Sequence, residues 1–261
     1  MKKKINCLLI VFLVCLSLYG LTACGLQPLV YPGADMHLPD SRYGCKAERV
    51  ELKAPDGTAL RGWFFNRGAD TPLVVFYGGN AMNVGAFTDI AKADTTRSYL
   101  LMNYRGYGNS DGEPSESALV QDACHCLKSA RKKLGTPASV TLVGFSLGSG
   151  VATQVAAAEK SDALILICPF DSITEVACNM VPFIPRLLPL DTWKSADYAP
   201  KITCPVTILR AKHDSIVPPA STDALIRAFT AVTPTVHEFS CDHNNIFSAE
   251  GFSETLKNQL P

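Results

Sequence analysis

Three side chains, Ser146, Asp214 and His243, are of the types that acyl transfer by a serine nucleophile requires. A serine hydroxyl attacks poorly until a base takes its proton. The base in turn needs a third group to fix its orientation. Ser146 sits in Gly144-Phe145-Ser146-Leu147-Gly148, after a short apolar run (Val140, Leu142, Val143) and before small residues suited to a tightly packed helix. A serine at the apex of a sharp strand-to-helix turn is held in a strained backbone. Side chains two positions to either side would collide, so glycine stands there. Asp214 lies in Ala211-Lys212-His213-Asp214-Ser215-Ile216-Val217-Pro218, and His243 in Cys241-Asp242-His243-Asn244. Each follows an expected strand, at the carboxyl edge where open α/β sheets bind ligands. Asp171, after the strand that follows the elbow, is a second candidate for the acid. The other histidines have weaker claims as base. His213 is a loop neighbour of Asp214, His237 lies within a strand, His125 on a helix, and His37 in the N-terminal segment.

The tetrahedral oxyanion of such a reaction needs fixed donors, and losing one typically costs about 2.7–4 kcal/mol. The backbone N–H of Leu147, directly after the serine, supplies one. Gly79, in the Gly78-Gly79-Asn80 loop, is the choice for the other, with Gly78 or Asn80 taking the role if the register shifts.

Strands and helices must alternate to place these loops together. Arg49–Lys53 and Leu60–Asn66 read as a hairpin joined by the Pro55-Asp56-Gly57 turn. Leu73–Tyr77, Ser98–Asn103, the run before the elbow, Ala163–Cys168, Val206–Arg210 and Thr235–Phe239 read as further strands, eight in all. Helices are expected over residues 84–95, over the Leu119, Ala123, Cys126, Leu127, Ala130, Leu134 periodicity, after the elbow, from about Ala220 to Thr230, and after Phe247. The expected fold is α/β, a mostly parallel sheet with helices on both faces. Residues 169–200 break the rhythm with five prolines and scattered large apolar residues, and read as a small lid insertion.

Residues 1–23 stand apart from this core. Lys2, Lys3 and Lys4 precede an apolar run from Ile5 to Leu21, which is short for a membrane span. Leu21-Thr22-Ala23-Cys24 resembles the bacterial lipoprotein signal, whose final cysteine is acylated and becomes the mature N-terminus. That resemblance implies a lipid bilayer as partner through Cys24. Gly25 in place of aspartate implies sorting to the Gram-negative outer membrane, facing the periplasm. Residues 24–47, with Pro28, Pro32 and Pro39, read as a tether, and 48–261 as the catalytic domain. Without residues 1–23 the chain carries 21 Lys and Arg against 24 Asp and Glu, a net −3 with no basic block. Nucleic acid is not an expected partner. Of ten cysteines, seven remain after the leader and Cys24 are set aside, leaving room for one or two disulfides in an oxidising compartment. Cys124-His125-Cys126 falls inside a helical pattern, where residues two apart face different ways, so no metal site is expected there. The chemistry above calls for no metal and no cofactor.

Tyr104-Arg105-Gly106-Tyr107-Gly108-Asn109-Ser110-Asp111-Gly112-Glu113-Pro114-Ser115-Glu116, the Gly-Phe-Ser-Leu-Gly-Ser-Gly elbow, Asp214–Pro218 and the His243-Asn244 pair together resemble one branch of the α/β-hydrolase superfamily. That branch contains bacterial serine aminopeptidase-like hydrolases and eukaryotic acyl-protein thioesterases. The resemblance covers roughly residues 48–258. It implies Ser146 as nucleophile, Asp214 as acid, His243 as base, and Gly79 and Leu147 as oxyanion donors. Two positions depart from the family pattern: Tyr77 stands where histidine is usual, and Ala211 where a glycine is common before the acid. The expected activity is hydrolysis of carboxylic esters or thioesters on a small-molecule or acylated substrate. A peptidase of the same mechanism and a catalytically silent envelope binding module are the alternatives.

Overall fold

A computed structural model of the chain describes residues 30–31, 48–180 (177–180 as backbone) and 191–261. The leader, Cys24, most of the tether and the middle of the expected lid lie outside the described residues. Among those described, no helix is long and apolar enough to cross a membrane.

Eight strands form one sheet: β1 (Arg49–Lys53), β2 (Ala59–Phe65), β3 (Leu73–Tyr77), β4 (Ser98–Met102), β5 (Val140–Phe145), β6 (Ala163–Ile167), β7 (Val206–Ala211) and β8 (Thr235–Phe239). Their spatial order is β1-β2-β4-β3-β5-β6-β7-β8. β2 runs antiparallel to both neighbours, and every pair from β4 to β8 is parallel. The chain leaves β3 toward β4 on one side and returns past it to β5 on the other. Loops leaving the carboxyl ends of β3 and β5 therefore diverge, and open α/β sheets hold their ligands in such a crevice.

The apolar runs decide what is buried. All residues of β3, β4 and β5 are buried, as parallel strands covered on both faces must be. β8, the edge strand, reads exposed, exposed, half-buried, exposed, buried. Helices α1 (Thr88–Ala93), α2 (Glu116–Leu134), α3 (Leu147–Ala158), α4 (Ile173–Met180), α5 (Ser195–Tyr198), α6 (Pro219–Ala228) and α7 (Phe252–Gln259) cover the faces. Leu119 and Leu127 of α2, Val151 and Val155 of α3, and Leu225 of α6 belong to one core. Ala91 of α1 and Phe252 and Leu256 of α7 belong to the other. Each fully buried aliphatic side chain contributes about 1.5–3 kcal/mol. Ser115 caps α2 by accepting from the Ala118 N–H (3.3 Å), and Arg131, Lys132 and Lys133 stand in its last turn, where the helix dipole favours cations.

The structure departs from expectation in three places. The helix expected over 84–95 opens as a 3₁₀ turn (Val84–Phe87) and becomes α-helical only from Thr88 to Ala93. Asn83 caps that start, its side chain accepting from the Gly85 N–H (2.9 Å). The last helix does follow Phe247, from Phe252, but an unforeseen 3₁₀ turn, His243–Ser248, precedes it. Most consequentially, two residues of the expected tether are packed into the domain: Val30 is 7% exposed and Tyr31 2%.

Candidate active site

Ser146 has φ 52° and ψ −118°, a conformation that costs a non-glycine residue on the order of 1–3 kcal/mol. The surroundings over-determine it. The Ser146 N–H donates to the Ile167 carbonyl (2.9 Å), tying the turn to β6. A Cβ on Gly144 would lie 2.2 Å from the Gly148 carbonyl oxygen. A Cβ on Gly148 would lie 2.1 Å from the Tyr77 oxygen and 2.6 Å from the Gly78 oxygen. The two glycines of the motif thus let three backbone segments meet where no side chain fits. Gly148 presses the elbow against the loop expected to carry the second oxyanion donor.

That loop is held from its other side by the Tyr104–Gly112 motif. The Tyr104 hydroxyl donates to the Gly78 carbonyl (2.9 Å), and the Tyr107 hydroxyl donates to Asn80 Oδ1 (2.6 Å). Arg105 anchors the motif with a two-pronged pair to Asp122, 2.7 and 2.8 Å. The backbone N–H groups of Gly78, Gly79, Asn80 and Leu147 have no hydrogen-bond partner among the described residues. Gly79 differs from its neighbours in lying against Phe145, the residue before the serine: a Cβ there would sit 2.8 Å from the Phe145 ring. Tyr77 points its hydroxyl into the core without a hydrogen-bond partner, and burial pushes its ionisation well above the usual phenol range.

The expected acid and base, Asp214 and His243, stand in the loops that follow β7 and β8. His243 Nδ1 and Asp214 Oδ2 are 2.8 Å apart, with side chains 3% and 4% exposed. Asp214 Oδ1 accepts from the N–H groups of Ile216 (2.9 Å) and Val217 (2.6 Å), which fixes the carboxylate plane. Asp242 joins the two loops. Its Oδ1 accepts from the Ser215 N–H (2.9 Å), the Ser215 hydroxyl (2.8 Å) and the His243 N–H (2.5 Å). Those donors, the Ser215 N–H foremost, hold the Asp242 carboxyl below its usual range. The imidazole lies 5.2 Å from the Phe145 ring, centroid to centroid, which brings His243 beside the elbow. The half-buried Ser146 hydroxyl makes no hydrogen bond among the described residues. Such contacts often close only when substrate arrives.

The competing candidates are placed elsewhere. Asp171 accepts from the Ser221 hydroxyl rather than meeting His243. His213 is exposed, and His237 is half-buried in β8 with Nε2 unpartnered. Cys124, Cys126, Cys168, Cys204 and Cys241 are free thiols, and Cys45 lies outside the described residues. Cys126 faces the core, where burial pushes its thiol up to about 12.

Cys168 escaped sequence reasoning. It is buried, adopts φ 46°, and its sulfur lies with ligand atoms of Asp214 and His243 in a group no more than 4.8 Å across. This is a donor set a metal could use. Yet Asp214 already accepts three hydrogen bonds, and burial followed by the Asp214 charge pushes the thiol up, so the group is satisfied as it stands. Its only sequence signal is that it directly follows β6, next to the elbow strand.

Residues 71–190 match a family model described as alpha/beta hydrolase fold. An uncharacterized protein of Mycobacterium tuberculosis, Rv2307c, is 33% identical over 207 residues, 76% of this chain and 70% of that protein. An uncharacterized membrane protein of Saccharomyces cerevisiae, YNL320W, is 30% identical over 249 residues, 89% of this chain and 87% of that one. Among solved structures, the Pyrococcus furiosus esterase Pf2001 superposes with a TM-score of 0.68 at 17% identity, covering 85% of this chain and 92% of the esterase. The strained serine turn in the crevice of an eight-stranded, mostly parallel sheet and these likenesses agree: the chain belongs to the α/β-hydrolase fold family.

Proposed function

We propose that this protein is a serine hydrolase that cleaves carboxylic esters or thioesters through an acyl-enzyme on Ser146. The observation that carries the reading is the 2.8 Å contact between His243 Nδ1 and Asp214 Oδ2, set beside the strained Ser146 turn. With Asp214 accepting at Nδ1, the proton sits on that nitrogen and Nε2 is left free to act as base. His243 takes the Ser146 proton as the hydroxyl oxygen attacks the acyl carbon. The oxyanion forms against the N–H groups of Leu147 and Gly79, and the imidazolium returns the proton to the leaving alkoxide or thiolate. Water then repeats the sequence, with His243 again as base, and releases the carboxylic acid. The motif resemblance supports membership of the branch of serine aminopeptidase-like hydrolases and acyl-protein thioesterases.

We also propose that Cys24 is acylated and holds the domain on a membrane, as the Leu21-Thr22-Ala23-Cys24 sequence implies, with the Gram-negative outer membrane as the site of attachment. That a yeast relative is described as a membrane protein supports a membrane setting. The activity test is to expose the purified protein and Ser146→Ala to a fluorophosphonate probe and to p-nitrophenyl esters of graded chain length. Labelling and turnover by the wild type alone are expected. A folded wild type that neither labels nor turns over rules the hydrolase reading out. Metabolic labelling with palmitate, lost in Cys24→Ala, tests the anchor.

A further inference from the structure

We infer that the N-terminal piece Val30–Tyr31 is a positioning element of the active site, bracing the oxyanion loop and the nucleophile helix at once; this rests on the serine hydrolase reading above. On the loop side, the Val30 carbonyl accepts from Asn80 Nδ2 (2.6 Å). The other end of the same amide, Oδ1, accepts from the Tyr107 hydroxyl (2.6 Å) and from the Ala81 N–H (3.1 Å). Asn80 directly follows Gly79, so its side chain clamps the donor loop between the Tyr104–Gly112 motif and the N-terminal piece.

On the helix side, the Tyr31 hydroxyl donates to Asp191 Oδ2 (2.5 Å) and accepts from Trp193 Nε1 (3.0 Å). Asp191 also accepts from the Glu116 N–H (2.8 Å). Glu116 in turn accepts from the Trp193 N–H (2.9 Å) and from Gln154 Nε2 (2.8 Å). Gln154 lies on α3, the helix that Ser146 opens. A Cβ on Gly150 of that helix would stand 3.0 Å from the Trp193 ring. Removing Val30 and Tyr31 would unpair Asn80 Nδ2 and Trp193 Nε1 together and leave Asp191 only the Glu116 N–H. Only six positions separate Cys24 from Val30, a span of at most about 22 Å fully extended. An anchor at Cys24 would therefore hold the rim of the site close to the bilayer and present it to acyl groups carried there.

A loop that only fills space and a loop that places a donor predict different kinetics. In the full chain, Asn80→Asp keeps the acceptor for Tyr107 and replaces the donor to Val30 with a repelling oxygen. Tyr31→Phe removes one oxygen and otherwise preserves shape. Both variants should lower kcat for p-nitrophenyl butyrate about tenfold with KM within about twofold, because a displaced oxyanion donor is felt in the transition state rather than in binding. Fluorophosphonate labelling should slow in parallel. Leu256→Ala, in the far core, serves as a destabilised control with kcat unchanged. If Asn80→Asp fails to fold, Tyr31→Phe decides alone. A lowered melting temperature with kcat unchanged in Tyr31→Phe overturns the inference and makes the piece a structural plug. An inert wild type overturns the hydrolase reading and this inference with it.

Discussion

The two halves of the site are built differently. The half around Ser146, the proposed nucleophile, at the ends of β3 and β5 in the middle of the sheet, is shaped by backbone against backbone. Gly144, Gly148 and Gly79 each stand where an added Cβ would come within 2.1–2.8 Å of a carbonyl oxygen or a ring. The half around the proposed acid and base, at the ends of β7 and β8 toward the sheet edge, is held by side-chain hydrogen bonds among Asp214, Ser215, Asp242 and His243. A steric cage either fits or breaks, whereas a hydrogen-bonded cluster loses function in graded steps as its members are removed.

Four substitutions would break or sharpen that contrast. Ser146→Ala should abolish turnover, a loss on the order of 10⁶-fold in kcat. Alanine bears the same backbone strain as serine, so the melting temperature should barely move; calorimetry beside the ester assay checks both. Asp214→Asn should cost about 10⁴-fold, since an amide that donates to Nδ1 favours the wrong tautomer. A pH–rate profile that loses its low-pH limb along with the rate would tie the loss to the imidazole. Gly148→Ala should lower kcat about 10²–10³-fold by moving the donor loop, and should also destabilise the fold by about 1–3 kcal/mol as an overpacked contact. Chemical denaturation separates this steric signature from the purely catalytic one at Asp214.

Asp242→Ala should have the smallest effect, within about tenfold in kcat, because Asp242 acts through the loops and not on substrate. Its stability effect carries a pH signature. A carboxyl held below its unfolded value contributes stability that is fully present above that value, near pH 4, and is lost as the pH falls through the lower folded value. Wild type should melt above Asp242→Ala at pH 6, and the gap should close as the pH drops below about 4. A gap that stays constant with pH would mean that the Asp242 carboxylate is not what joins the loops.

Much of this architecture is local and therefore readable from sequence. Apolar runs such as Leu73–Tyr77 and Val140–Phe145 mark buried strands because parallel strands must be apolar on both faces. The glycines flanking Ser146 mark the elbow because their reason is steric and lies within the motif or one loop away. What was not readable depends on contacts between segments far apart. Val30 and Tyr31 look like tether residues until Asn80, fifty positions later, and Asp191, one hundred and sixty later, are seen to bind them. The Tyr104–Gly112 motif was visible as a pattern, but its work of bracing Gly78 and Asn80 was not. Cys168 carries no motif; only the neighbouring strand ends bring it to Asp214. The 3₁₀ start at Val84 was hidden because Asn83 can cap either kind of helix.

The placement of His243 has a consequence for how the proposed activity would be lost. The proposed base follows β8, the edge strand, which has one hydrogen-bonded neighbour and a largely exposed side-chain row. Sheet edges fray at lower free energy than sheet centres. Warming should therefore release His243 from the serine while β3, β5 and α3 remain folded. Heat inactivation would begin as a reversible local opening, with deuterium entering β8 amides first, and ester turnover should fade several degrees before the bulk of the sheet melts.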